Sequence, residues 1–264
     1  MNIGCIGCGT MGSAVMKAIA AKNEGHKFFV SSLHFEKAEA FAKEINGTAC
    51  SSNADAAKQS DVIFLAVKPN VIESVLNEIS SLLADKIVVS MAAGINLARL
   101  NSFAKNPGVK MFRIMPNLPA VYKEGMTALC VEEKISDDDI KTVTELLSSS
   151  GKVERVSEKL MDGVTAISGS GPAYGFMFIE ALADAAVKFG IPRKQAYVYA
   201  AQTLKGAATM ALEDERSISE LKDAVCSPAG TTIDAVIALE ANGFRNAVIQ
   251  GAVAAYNKSA SMGK

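Results

Sequence analysis

The chain has 264 residues, 49% of them hydrophobic, with no tryptophan and 27 Lys plus Arg against 28 Asp plus Glu. Near-neutral charge excludes the basic stripe of a nucleic-acid binder and an electrostatic membrane anchor, and the length favours two domains. A compact chain of this size buries roughly 70–75% of its unfolded surface, so its stability requires neither disulfides nor metal.

Taken in order, residues 2–6 form a short apolar strand, Gly7-Cys8-Gly9-Thr10-Met11-Gly12 follows, and a helical pattern runs over 13–22. The first 21 residues are apolar but lack a basic n-region, so no signal peptide is expected. No uncharged apolar run reaches the ~20 residues of a membrane span. Residues 27–32 read as a second strand and 36–45 as a second helix. Residues 61–67 (DVIFLAV) are almost continuously apolar, the pattern of a strand buried on both faces of a parallel sheet. An amphipathic helix is expected over 71–83, and strands over 86–90 and 109–115. This alternation predicts a doubly wound α/β domain of the Rossmann type.

After Gly151 the texture changes. Residues 160–264 hold 22 alanines and little β-rich sequence, and Pro172, Pro192 and Pro228 stand where helices could begin. The expected division is a dinucleotide-binding domain over 1–155 and an all-α domain over 156–264. The five cysteines, Cys5, Cys8, Cys50, Cys130 and Cys226, are odd in number and irregularly spaced, which points to a reducing, cytoplasmic setting. Cys5 and Cys8 form a lone C-x-x-C, and the only histidines are His26 and His34, so no metal site is expected.

Gly7, Gly9 and Gly12 make a G-x-G-x-x-G between a strand and a helix. The first permits the tight turn, the second lets backbone approach a pyrophosphate, and the third lets the helix pack on the strand. The free N–H groups of the helix start then face the anion. The bland alternative is a glycine-rich structural turn. About 20 residues on, an Asp or Glu would bond the ribose of NAD. This chain has Ser31-Ser32-Leu33-His34 there, with no carboxylate before Glu36, which favours NADPH while leaving NADH open. Ala66-Val67-Lys68-Pro69 and Met91-Ala92-Ala93-Gly94 also follow strands, where ligands of open α/β sheets bind. Lys68 could touch a ligand or simply be a surface lysine. Asn117, in Met115–Pro119, could shape a nicotinamide pocket or sit in a proline-punctuated loop.

In the second half, Ser168-Gly169-Ser170-Gly171-Pro172-Ala173-Tyr174 breaks a helical pattern without the spacing of a nucleophile elbow. Cys226-Ser227-Pro228-Ala229-Gly230-Thr231-Thr232 precedes a helix expected over 233–240. Hydroxyls and free N–H groups there suit a small carboxylate, or else ordinary N-capping by Ser or Thr.

These segments, with DVIFLAVKP (61–69), SGSGPAY (168–174), Leu221-Lys222-Asp223 and SPAGTT (227–232) in order, resemble the pyrroline-5-carboxylate reductase family over essentially the whole chain. The resemblance implies NADPH-dependent reduction of a cyclic imine to L-proline, and a C-terminal helical domain that forms homodimers, which often assemble further into decamers. It implies that Ser227, Gly230, Thr231 and Thr232 hold the substrate carboxylate and ring nitrogen, with Glu215 near the site. It assigns the cofactor to Gly7–Gly12, Ser31, Ser32, Asn53 and Ala66–Pro69. Thr232 is the candidate catalytic residue, as a hydroxyl hydrogen-bonded to the nitrogen. Ala229 and Thr231 stand where relatives often have Gly and Ala. A β-hydroxyacid dehydrogenase would share the first half but bring a lysine or other acid/base on its long helix. A non-catalytic dinucleotide sensor would bind NADPH without oxidising it.

Overall fold

The computed structural model describes residues 1–22 and 25–262; the last two residues of the expected helical domain lie outside these. The chain forms two compact units, residues 1–170 with 255 onwards, and residues 171–254. Composition changes near 156, whereas the compact units divide at Ser170–Gly171, inside the SGSGPAY segment.

The first unit runs β1 (Asn2–Ile6), α1 (Thr10–Ala21), β2 (Lys27–Ser31), α2 (Phe35–Glu44), β3 (Thr48–Ala49), α3 (Asn53–Gln59), β4 (Val62–Leu65), α4 (Ile72–Ile79) and β5 (Ile87–Ser90). It continues through α5 (Leu97–Ala104), β6 (Lys110–Met115), β7 (Gly125–Val131), α6 (Asp137–Leu147), β8 (Gly151–Arg155) and α7 (Met161–Val164). Among the described residues the sheet has eight strands in the order β3-β2-β1-β4-β5-β6-β7-β8. Every neighbouring pair is parallel except β6 with β7. The continuous apolar runs have a direct cause. Ile63 and Leu65 of β4 feed one core with α3, α4 and α5, while Val62 and Phe64 feed another with α1, α2 and α6. A strand covered on both faces has no polar side.

Several elements differ from the sequence reading. α1 starts at Thr10, three residues earlier than expected. The 71–83 helix is shorter, with single turns of tighter helix on either side of α4. β3, α3, α5, β7 and β8 were not anticipated. The signals of α3 and α5 lie in their caps: the Ser52 hydroxyl accepts the Asp55 N–H at 3.0 Å, and the Asn96 side chain accepts the Arg99 N–H at 2.8 Å.

The second unit comprises α8 (Gly171–Lys188), α9 (Arg193–Glu213), α10 (Ile218–Val225), α11 (Thr231–Ala241) and most of α12 (Phe244–Met262). α12 ends in the first unit, where the Ser259 hydroxyl donates to Asp162 at 2.6 Å. Pro172 and Pro192 stand at helix starts as expected, but Pro228 lies in a turn three residues before α11. Between α7 and α8 the backbone widens into a π turn over Thr165–Gly169, in which the Ser170 N–H donates to Thr165 at 2.9 Å. The buried cluster of the second unit is small: Ala183, Ala196 and Ala200, with Ile179, Ala186 and Ile191 partly buried around them. Phe176, Phe189, Val198, Ile218 and Ile237 are all at least 60% exposed. Among the described residues no helix is long and apolar enough to cross a membrane.

A charged tie crosses the first unit. Arg113 of β6 is buried and donates from Nη1 to Glu158 Oε1 at 3.0 Å. The same oxygen accepts the N–H of Leu97, the first residue of α5, at 2.8 Å. Removing the acceptor leaves a buried guanidinium uncompensated. Glu158→Ala is expected to cost about 2 kcal/mol in urea unfolding, a partly exposed partner lowering the usual value for a buried pair; an unchanged midpoint would contradict this role.

Candidate active site

β1 is flanked by β2 on one side and by β4 on the other, so strand order reverses between β1 and β4. Ligands of open α/β sheets bind at the strand ends beside such a reversal. The two loops there are Gly7–Gly12 and Ala66–Pro69, and they are locked together. Gly7 has φ +102°, donates its N–H to Ser31 at 2.9 Å, and would bring a Cβ within 2.6 Å of the Ala66 carbonyl oxygen. A Cβ on Gly12 would lie 2.3 Å from that of Ala66. Gly9 is different. Its Cβ would meet only the Ala66 oxygen at an ordinary 3.7 Å, so the protein's own packing does not demand glycine there. Gly9 is also the N-cap of α1, and no side chain caps that helix. Gly9 and Thr10 are exposed, so open space and uncapped N–H groups meet at one point. This cradle fits a pyrophosphate, by both charge and clearance.

All five cysteines are free. The Cys5 thiol is 3.3 Å from the Gly7 oxygen, and Cys8 Sγ lies 3.9 Å from the Ser31 oxygen. Burial pushes both thiols above their ordinary range, which suppresses the thiolate that redox or metal chemistry needs. Among the described residues no three His, Cys, Asp or Glu side chains gather as metal ligands.

At the end of β2, Ser31 is buried and its hydroxyl donates to Asn53 Oδ1 at 2.9 Å. Asn53 Nδ2 in turn donates to Glu78 Oε2 at 2.8 Å. Ser32 is half-buried, and Glu36 belongs to the exposed first turn of α2, where a carboxylate complements the helix dipole. Lys68 is exposed, and its side chain makes no hydrogen bond or ion pair among the described residues, while its carbonyl accepts the Val71 N–H at 3.0 Å.

Two expected cofactor residues have other partners. Gly94, at φ +74°, faces the end of α12, with a Cβ position 3.2 Å from that of Met262. Asn117 is buried; its amide donates to the Ser168 oxygen at 3.1 Å and accepts the Met126 N–H at 2.9 Å. Ala92 is buried beside them, and Ala93 is half-buried.

In the second unit, the segment before α11 is a tight turn. The Gly230 N–H donates to the Ser227 oxygen at 3.0 Å, and a Cβ on Gly230 would lie 2.2 Å from Ser227 Oγ. Ala229 takes φ +55°, a left-handed conformation that costs alanine about 1 kcal/mol and glycine nothing. Gly230 is the N-cap of α11, and no side chain caps the helix. Ordinary N-capping by Ser or Thr is therefore excluded here. Thr231 and Thr232 are the first two residues of α11, two residues earlier than the helix was expected, with Thr231 exposed and Thr232 half-buried. Glu215 is exposed between α9 and α10. Its neighbour Asp214 is held down at about 2 by hydrogen bonds from the Arg216 side chain and backbone.

Residues 158–262 match the family model for pyrroline-5-carboxylate reductase dimerisation, and residues 2–94 match that for NADP oxidoreductase, coenzyme F420-dependent. The chain is 42% identical to the pyrroline-5-carboxylate reductase of Escherichia coli (strain K12), over 100% of this chain and 98% of that one. It belongs to the pyrroline-5-carboxylate reductase family. Solved structures agree: a Plasmodium falciparum pyrroline carboxylate reductase with NADP bound is 34% identical with a TM-score of 0.89, and a Coxiella burnetii pyrroline-5-carboxylate reductase is 32% identical with a TM-score of 0.93. Each alignment covers 100% of this chain and 98% of the relative.

Within this family frame, one side chain at the candidate site escaped the sequence reading. Glu78 lies 47 positions beyond Ser31, and nothing in its local pattern on α4 marks it; only the fold brings it to Asn53. The glycine contacts give a direct test. Gly12→Ala is expected to cost about 2 kcal/mol or more in denaturant unfolding, because two backbone-fixed methyl carbons cannot share 2.3 Å. Gly9→Ala is expected to leave the midpoint within about 1 kcal/mol while weakening NADPH binding. Equal stability losses in the two variants would defeat the distinction.

Proposed function

We propose that the protein reduces 1-pyrroline-5-carboxylate to L-proline with NADPH. The observation that carries this reading is the full-length identity to pyrroline-5-carboxylate reductases, together with the open glycine loop of β1. In this reading Gly7–Gly12 and Ala66–Pro69 hold the phosphates, and Ser31, Ser32 and Asn53 serve the adenosine ribose. Ala92 and Ala93 border the nicotinamide. Gly94 and Asn117 act behind them by fixing the loops, since their own contacts are internal.

Bound there, the dinucleotide supplies the hydride that reduces the C=N bond. The chain's own residues orient and polarise. Ser227 and the uncapped N–H groups of Thr231 and Thr232 hold the substrate carboxylate, worth about 0.3–2 kcal/mol from the helix end, so this site orients more than it anchors. The Thr232 hydroxyl hydrogen-bonds the ring nitrogen. A hydroxyl is a weak acid, so its contribution is alignment, and the proton on nitrogen can come from water. Alignment of donor and acceptor carbons can remove up to about 7–11 kcal/mol of barrier, which explains why the chemistry needs no histidine. Glu215 stands near this substrate segment as a lesser polar neighbour.

We read residues 1–155 as the cofactor segment and 156–264 as the helical segment through which two copies associate. The exposed apolar residues of α8 to α12 support a homodimer, because two surfaces of that kind can complete the core that one copy lacks. Assembly of dimers into a decamer follows the family pattern. The free cysteines support a cytoplasmic setting.

Following NADPH absorbance with 1-pyrroline-5-carboxylate tests the activity, with a 2-oxo acid for comparison. Oxidation with the imine alone is expected; none would leave a dinucleotide-binding protein without this reaction. Thr232→Ala should lower kcat by about tenfold or more, the scale of one lost hydrogen bond, with the KM for NADPH little changed. Near-wild-type turnover would remove Thr232 from the reaction. NADPH is expected to exceed NADH in kcat/KM.

A further inference from the structure

We propose that Glu78 of α4 is a positioning residue for the dinucleotide, acting through Asn53. The inference rests on the reading that the end of β2 and Asn53 face the adenosine ribose. Three side chains from three separate elements form one line there: Ser31 Oγ to Asn53 Oδ1 at 2.9 Å, then Asn53 Nδ2 to Glu78 Oε2 at 2.8 Å. The direction of this line has a single source. An ionised carboxylate can only accept hydrogen bonds, whereas an amide can be turned either way and a serine hydroxyl can donate or accept. Glu78 therefore fixes the Asn53 amide with nitrogen towards α4 and oxygen towards β2. The Ser31 hydroxyl, buried and facing that oxygen, is left to donate.

What the line leaves over is a donor. Asn53 Nδ2 carries two hydrogens; one goes to Glu78, and the other has no partner among the described residues. Asn53 is only partly buried, so its remaining N–H can meet a ligand. A ribose 2′-hydroxyl and a 2′-phosphate both present an acceptor oxygen, so a held amide donor serves either dinucleotide. Turned the other way, the amide would set its oxygen against the Glu78 carboxylate, and its spare N–H would leave from the β2 side instead. Glu78 thus sets the polarity of a group placed beside the strand end where the ribose is read, without touching the ligand. α4 follows the Ala66–Pro69 loop, so the same helix that begins beyond the phosphate loop also holds the ribose-side amide.

The test is a double-mutant cycle on binding, read by NADPH fluorescence, with thermal unfolding and saturating kcat measured alongside. Glu78→Ala and Asn53→Ala are each expected to raise the Kd for NADPH about tenfold, the scale of one hydrogen bond to a charged partner. The double variant should be no weaker than Asn53→Ala alone, and Glu78→Ala should raise the Kd with kcat at saturating NADPH unchanged. Glu78→Gln, which can accept but no longer imposes direction, should fall between wild type and Glu78→Ala. An unchanged Kd in Glu78→Ala overturns the proposal. So do additive effects in the double variant, and so does tighter NADPH binding with NADH unaffected, which would make Glu78 a repelling charge. A wild-type protein that binds neither dinucleotide would instead overturn the cofactor reading on which the proposal stands.

Discussion

The contact on which the rest of the first unit depends is the closeness of the β1 loop to Ala66. Two glycines sit against one alanine at distances no side chain could share. That approach draws β1 and β4 together at the reversal of the sheet, points the start of α1 outwards, and leaves the N–H groups of its first turn uncapped. The arrangement separates two kinds of glycine that look identical in a motif. Gly7 and Gly12 are required by the protein's own packing, and Gly9 is not. A pattern match cannot make that division, because it lies in what surrounds each absent Cβ.

The second unit is built on the opposite principle. Its helices are rich in alanine, which lets α8 and α9 approach closely, but alanine buries little area, and the larger apolar side chains are left outside. Hydrophobic burial at about 25 cal/mol per Å² gains little from Phe176, Phe189, Ile218 and Ile237, which are exposed. In the homodimer proposed above, association would complete that burial, and the stability of this unit would then depend on protein concentration.

Much of the site was legible in the sequence because its features are local. The glycine loop is a strand, a turn and a helix in twelve residues, and β4 announces its burial through an unbroken apolar run. The SPAGTT segment was legible as the approach to a helix, although its two threonines proved to be the first residues of that helix. What was missed is non-local or weakly patterned. β7 pairs antiparallel with β6 and reads as ordinary mixed sequence, β8 has polar residues at a sheet edge, and α3 and α5 are too short for periodicity to show. Gly94 and Asn117 sit in loops of the right kind, yet their partners, Met262, Ser168 and Met126, come from distant parts of the chain. The Ser31–Asn53–Glu78 line is the same case.

The π turn at Thr165–Gly169 bears on how the chain tolerates change. Such a turn accommodates one residue more than the α-helical repeat, and each residue of an α-helix turns the chain by about 100°. Losing a single residue there, and reverting to regular helix, would shift the helical phase of every later position of α8 by about that angle. Side chains now directed outwards would be traded for others around the whole circumference, with no substitution in α8 itself. Length in this five-residue stretch, which takes in only Ser168 and Gly169 of SGSGP, is consequently under tighter constraint than identity.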